Sequence, residues 1–464
     1  MAVASSIRRR RRPAPGTEIA VAPPRRRTEL GLLALATVVI VALYVLASLG
    51  KTAHLPVDIG PVLGVMIGLA VVAHLALRRF APRADPVLLP VAFALNGVGY
   101  VFITRLNSHL AGLQAMWSAA GVIGFVGTLA VVRRVRDLER YRYTFALLGL
   151  GLLLTPLVPG IGANINGNRI WLRLGPFSIQ PGEFAKLALA VFFASYLVER
   201  RELLSSTRRI GSVRLPQIRL RVLGPILLAW GFAMLVIIAE KDLGSSLLLF
   251  GLFVSMLWVA TGLGSYLVAG AGMFLAGAYY TYTAFAHVTV RVQIWLDPWK
   301  DAQGKGYQIV QSMFAFGSGG VVGDGIGLGS PTRIPAVSTD FIFAAIGEEL
   351  GLVGTTAVLV AFLVMVGSGL RIALKAEREF DKLLATGLTA IIGLQAFIII
   401  GGVTRLVPLT GITLPFVSYG GSSLVANYVL LALLLRISDD VASDEELGAG
   451  DLVPASVRSR GRAS

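Results

Sequence analysis

The chain has 464 residues, 55% of them hydrophobic, and a mean hydropathy of +0.74; a soluble domain of that size is seldom so apolar. It contains no cysteine, which excludes disulfides, thiolate catalysis and cysteine-ligated metal, and its histidines (His54, His74, His109 and His287) are too scattered for a histidine-rich metal site. The net charge of +16 does not point to nucleic acid: the arginines stand in short segments between apolar runs, where the positive-inside rule places them, rather than on one folded face.

Residues 1–28 carry Arg8 to Arg12 and Arg25 to Arg27, with prolines and no apolar run. They read as a disordered basic cytoplasmic tail, suited to anionic head groups. The first apolar run is too long for a signal peptide and lacks a convincing cleavage site. Runs of about 18–22 mostly apolar residues then recur, the length that crosses a bilayer. Twelve spans are expected, at 29–49, 59–77, 86–104, 113–132, 141–158, 182–198, 222–239, 243–261, 265–285, 347–369, 384–403 and 417–436. The fold class is an all-α polytopic membrane protein. From a cytoplasmic N-terminus, the inner connections fall at 78–85, 133–140, 199–221, 262–265 and 371–382. The third holds seven arginines (200, 201, 208, 209, 214, 219 and 221), as the positive-inside rule requires. The stretch 438–464 reads as a polar cytoplasmic tail, so both termini are expected inside.

The outer connections are then 159–180, the short turn at 240–244, a long segment from about 287 to 340, and 402–416. Loops as long as the third commonly carry function, and it is expected to roof and wall an outward-facing catalytic cavity. In the first, NGNRIWLRLGPFSIQPGEFAKLAL (166–189), Pro181 suits the first turn of a helix. Glu183 and Lys186 stand three apart on one helix face, about one turn into an apolar run. Ionisable groups there face the bundle interior or a wet cavity; a structural ion pair and a substrate-binding pair both fit. Arg169 and Trp171 lie just above, where Trp171 also suits an interfacial anchor. In AEKDLGSS (239–246), Lys241 suits a solvated turn, and Asp242 begins the next helix near the cavity mouth.

Within the long segment, IWLDPWKDAQGKGYQ offers Asp297, Asp301, two bases and three aromatics, a set suited to a sugar-bearing ligand or to an ordinary solvated loop. GSGGVVGDGIGLG lacks the Lys-Ser/Thr of a nucleotide P-loop and follows no strand; its glycines suit tight turns. In STDFIFAAIGEELG (338–351), Asp340 stands where the loop enters a helix, and Glu348 and Glu349 lie deeper. A carboxylate in a low-dielectric cavity has a raised pKa that suits a general base, and an N-cap is the alternative use of Asp340. In PLTGITLPFVSYGGSSLVAN (408–427), the small residues allow close helix packing.

Together these motifs resemble the SEDS family (shape, elongation, division and sporulation), typified by RodA and FtsW. The resemblance runs from about residue 86 to 437, through GNRIWLRLG…IQPGEFAK, KDLGS, DPWKDAQGKGYQIVQS, TDFIFAAIGEELG and PFVSYGGSS, in family order. Four positions depart from the family pattern: Ala336 replaces a Glu, Ser338 a His or Arg, Gly182 a Ser and Lys241 a Pro. The resemblance implies a ten-helix core over 86–437, with 29–85 forming two additional N-terminal spans. It implies a peptidoglycan glycosyltransferase that polymerises lipid II at the outer face of the plasma membrane, with a class B penicillin-binding protein and other elongation or division complex proteins as partners. It implies Asp340 as the catalytic base. Arg169, Lys186 and Lys241 become candidates for the leaving pyrophosphate, a task a divalent cation such as Mg2+ would share. Trp171, Glu183, Asp242, Asp297 and Glu349 complete the expected substrate-binding set. A RodA-like elongation role is the expectation; an FtsW-like division polymerase, a lipid-linked precursor flippase and a non-catalytic scaffold are the alternatives.

Overall fold

The computed structural model describes residues 25–54, 59–165, 168–175, 177–210, 213–216, 220–240 and 242–451; Lys241 and much of both terminal tails lie outside them. Each expected span falls on a helix: α1 (Arg25–Thr52), α2 (Ile59–Phe80), α3 (Leu88–Leu106), α4 (His109–Val131), α5 (Arg142–Leu154), α6 (Gly182–Glu199), α8 (Leu220–Ala239), α9 (Leu243–Thr261), α10 (Ser265–Ala284), α13 (Ile342–Lys375), α14 (Glu379–Val403) and α15 (Gly421–Asp451). Three further helices lie in the connections: α7 (Arg201–Leu204), α11 (Ala286–Leu296) and α12 (Tyr307–Gly319). Among the described residues, eight helices are long and apolar enough to cross a membrane, namely α1 to α4, α9, α13, α14 and α15. The centre of the bundle is α6, α14 and α15, where Phe193, Leu388 and Leu431 are fully buried. α1 packs on α3, and α2 on α4.

Local chemistry sets several helix ends. The Asp85 carboxylate accepts from the backbone N–H groups of Val87 and Leu88 (2.9 and 3.3 Å), satisfying orphan donors at the start of α3. Asp242 caps α9, accepting from Ser245 N at 3.0 Å and Ser245 Oγ at 2.6 Å. Gly262 ends α9 in the left-handed conformation (φ +69°).

Three features differ from the sequence reading. The 159–180 connection is a three-stranded antiparallel sheet, β1 (Gly162–Ile165), β2 (Asn168–Leu174) and β3 (Phe177–Ile179), and a hairpin of β4 (Thr207–Ile210) and β5 (Val213–Pro216) lies in the arginine-rich connection. α13 starts at Ile342 rather than 347 and breaks at Gly351 (φ +62°, ψ −159°). The glycine-rich 317–329 segment runs alongside that break. Asp324 N and Gly325 N donate to the Glu348 and Glu349 carbonyls (2.9 and 3.1 Å), and Leu352 N and Val353 N donate to Gly320 O and Val321 O (3.0 and 3.1 Å). Backbone freed by a break in a membrane helix needs such partners, and a Cβ at Gly351 would sit 2.4 Å from Gly323 N. Third, the 438–451 stretch expected as tail continues α15, with Ser438, Asp439, Val441 and Ala442 buried. Its polar side chains hold three connections: Asp439 accepts from Arg83 N (2.6 Å), Ser438 from Asp85 N (3.0 Å), Asp440 from Val135 N (3.2 Å) and Glu445 from Lys375 Nζ (3.0 Å).

Candidate active site

One end of the bundle gathers charged groups from four separate parts of the chain. The Lys186 ammonium on α6 donates to Glu183 (2.6 Å) and to the Gln395 amide oxygen on α14 (2.7 Å). Gln395 donates in turn to Thr413 O (2.9 Å), and Thr413 Oγ1 donates to Ser423 Oγ on α15 (3.0 Å). Glu183 and Lys186 are both 7% exposed, and an ion pair so placed in an apolar bundle is held by this shared network. Glu183, Lys186, Glu240, Asp242 and Ile170 line one cavity.

The 408–420 segment forms the adjoining wall. A Cβ on Gly244 would meet Ile412 Cγ2 at 2.3 Å and Thr410 Cβ at 3.2 Å, so only glycine lets the start of α9 pack there. Arg291 of α11 donates to the carbonyls of Leu409 (3.2 Å) and Thr410 (2.9 Å). Asp340 stands opposite Gly411 (φ +79°), where a Cβ would lie 3.6 Å from Asp340 Oδ2. The turn that presents Asp340 is tied down on both sides: Ser418 Oγ donates to Thr339 O (2.5 Å), Tyr419 N to Ser338 O (2.8 Å), and Thr339 N and Asp340 N both to Ala336 O (3.1 Å). Ala336 itself has φ +56°, a conformation uncommon for a residue with a side chain. The α13 N-cap is Phe341, without a side-chain capping bond, so Asp340 is not spent as that cap.

The electrostatics follow from burial and neighbours. Burial pushes the Asp340 carboxyl up to about 6, against a hydrogen bond from Thr339 and the positive charge of Arg291, with Asp242 adding to the rise. Asp242 is raised by burial, opposed by its two bonds from Ser245. Arg291 is lowered by burial, opposed by Asp242 and Asp340. Glu240 is raised to about 8 by burial and then by Asp242. The result is a half-buried carboxylate beside a guanidinium, within the field of a second carboxylate.

Of the expected set, Asp340, Asp242, Glu183 and Lys186 come together. Arg169 and Trp171 do not line the cavity. The residue between them, Ile170, does, and alternation along β2 turns its neighbours to the other face; Arg169 is exposed there. Asp297 is exposed and accepts from Trp299 N at 3.1 Å, capping a 3-10 turn. Glu349 is 0% exposed and pairs with Arg105 (2.7 Å), while its other oxygen accepts from Gly327 N (3.1 Å). Its carboxylate holds the glycine-rich segment rather than facing Asp340. Lys241 lies outside the described residues. Arg291, Gln395, Glu240 and Thr410 were missed. The available signal was a lone amide in the apolar run of α14 and an acid beside Asp242. Among the described groups, Thr410 Oγ1 is buried without a hydrogen-bond partner.

A membrane bundle that collects carboxylates and cations beneath a folded connecting segment defines a polytopic membrane protein with a charged cavity at one end. The model of the FtsW, RodA and SpoVE family, described as cell cycle protein, matches residues 87–443, and the chain belongs to that family. Its relatives include the protein named peptidoglycan glycosyltransferase RodA of Mycobacterium tuberculosis, 46% identical over 90% of this chain and 92% of that one. The Mycobacterium leprae protein of the same name is 44% identical over 90% and 91%. A probable peptidoglycan glycosyltransferase FtsW of Geobacter metallireducens is 34% identical over 77% and 95%. Among solved structures, a chain from a peptidoglycan synthase complex that coordinates polymerization and crosslinking is 26% identical, with a TM-score of 0.62, covering 77% of this chain and 98% of that one. A mutant of the Thermus thermophilus rod shape determining protein RodA is 25% identical with a TM-score of 0.53, over 77% and 98%.

Proposed function

We propose that this chain is a peptidoglycan glycosyltransferase that polymerises lipid II, in a RodA-like role in elongation. The 46% identity to a protein named for that activity, over 90% of the chain, carries the reading. The site's chemistry supports it. Asp340 is the general base: it takes the proton of the acceptor 4-hydroxyl as that oxygen attacks C1 of the donor sugar, and undecaprenyl pyrophosphate leaves. A carboxyl tuned to about 6 is ionised at neutral pH and still basic enough to accept a proton. In this reading Arg291 and Lys186 stabilise the developing negative charge, and the Thr410 hydroxyl, buried without a hydrogen-bond partner, takes a substrate oxygen. Among the described residues no three His, Asp or Glu stand together as a metal site. Mg2+ is commonly held by one or two carboxylates plus substrate phosphates, which Asp242 and Asp340 fit; bound there it would neutralise pyrophosphate charge.

The test of function is glycan-strand formation from lipid II by the purified chain, alone and with a class B penicillin-binding partner. Translocation of lipid II without strand formation would replace this reading with that of a flippase. The pH profile is a second check. Because the base works ionised and its pKa is raised to about 6, the rate should climb with pH to a plateau above about 6. It should fall about tenfold per unit below that. A profile flat from pH 5 to 7, within about twofold, would remove Asp340 as the titrating base.

We place both termini inside and the 287–340 segment outside. Gly304 is unsuitable for single-cysteine labelling because a Cβ there would meet Asp301 Oδ1 at 2.4 Å; Gln303 is exposed and serves instead. In a chain without native cysteine, Gln303→Cys should react with an impermeant reagent in intact cells, and Glu202→Cys only after permeabilisation. The opposite pattern would invert the topology.

A further inference from the structure

A second internal space lies away from the charged cavity, and the two share no lining residue. It is an apolar slot of about 200 Å³ between α1, α2, α3, α4 and α15. On α3 its lining runs from Leu89 to Tyr100, and on α2 from Pro61 to Ala73. These are roughly 16 and 18 Å of helix. The slot is therefore narrow, parallel to the helix axes, and about as long as one leaflet is deep, given a hydrocarbon core of about 30 Å.

Three observations say what fills it. Three of its polar groups are taken up with one another: Asn96 donates to Ser118 Oγ (3.3 Å) and Tyr428 OH (3.0 Å), and Ser118 Oγ donates back to Asn96 Oδ1 (3.4 Å). Water needs two to four polar partners to stay in such a space, and this trio leaves it few. One end is closed by the Glu29–His74 pair (2.7 Å), one turn before the lining Leu33 and next to the lining Ala73. The side is open, because Val65 lines the slot yet is 46% exposed, in line with exposed Val72 on the same helix. Hydrocarbon is the solvent at that opening.

We propose that the slot is a binding site for one acyl chain of a bilayer glycerophospholipid, which joins the two N-terminal helices to the rest of the bundle. The ligand class follows from shape, dryness and lateral opening, and does not depend on the activity proposed above. A polyprenyl chain of the substrate is the less fitting occupant, because its head would have to reach a cavity that the slot does not adjoin.

The test uses the full chain. Native mass spectrometry after exhaustive detergent washing should find one phospholipid retained on the wild type. Ala70→Trp, projecting an indole into the slot, should lower that occupancy at least about tenfold, since losing two buried methylenes has an effect of that size. In nanodiscs, a phospholipid with a diazirine at mid-chain should crosslink to Phe93 and Val122 of the wild type. This arm decides the matter should Ala70→Trp fail to fold. Crosslinks confined to outward-facing Val39, Ile67 and Val72 would overturn the proposal, as would retention of polyprenyl phosphate in place of phospholipid, no retained lipid in the wild type, or unchanged occupancy in folded Ala70→Trp.

Discussion

Asp340→Asn will fold, insert and bind its partner like the wild type, and will polymerise lipid II at least about 10²-fold more slowly. The substitution keeps shape and hydrogen bonding and removes only the proton acceptor. The turn around it is fixed by backbone bonds from Tyr419 and by the Ser418 hydroxyl, none of which needs the carboxylate. Losing a charge that burial already disfavours should leave stability equal or slightly higher at neutral pH, because the folded-state pKa is raised. Asp340→Glu should regain a trace at most, limited by displacement of the carboxylate. The measurement is glycan-strand formation by both proteins, each with its penicillin-binding partner. Equal rates would take Asp340 out of the mechanism, with Asp242 next in line.

Glu349→Gln should act by a different route and cost folding. The carboxylate is 0% exposed, it neutralises an Arg105 side chain that is 9% exposed, and it anchors Gly327 of the glycine-rich segment. Removing one member of a buried pair strands the other, at a cost of about 3–5 kcal/mol. Yield and thermal midpoint should therefore drop sharply, and the fraction that folds should keep its turnover. Removing both charges, as Arg105→Met with Glu349→Gln, should recover part of the loss. The exposed Asp297 provides the contrast: Asp297→Asn should change stability by less than about 1 kcal/mol, as for a retained cap. A Glu349→Gln protein with a wild-type midpoint but no activity would move Glu349 from scaffold to site.

The helices were legible because apolar length is a direct consequence of bilayer thickness. Asp340 stood open on the sequence between a general base and an N-cap, and the structure removes only the second, since Phe341 is the cap of α13. Arg291 was not legible, because on the sequence it opens a stretch of loop, and only α11 docking on the 405–410 turn shows where it points. That docking is reciprocal: Trp295 Nε1 donates to Arg405 O (3.1 Å) and Arg405 Nε to Trp295 O (2.8 Å). Such long-range pairing leaves no mark on local periodicity. Glu349 misled for a related reason. A buried acid looks the same on the sequence whether its partner is substrate or Arg105, which lies far earlier in the chain. The charged end of α15 read as tail because, apart from Arg436 one turn earlier, the partners of its acids lie far off in the chain, at Arg83, Val135 and Lys375.

That end of α15 bears on how the molecule is made. The α15 groups described above, which fasten the connections after α2, α4 and α13, leave the ribosome after all three of those connections. The helices on either side of those three connections can enter the membrane before these ties are made. The bundle therefore closes like a drawstring bag, with the cord threaded last. A chain stopped after Ile437 would insert most of its hydrophobic length and still lack the knot, leaving it open to quality-control proteases although Asp340 and the charged cavity are both present.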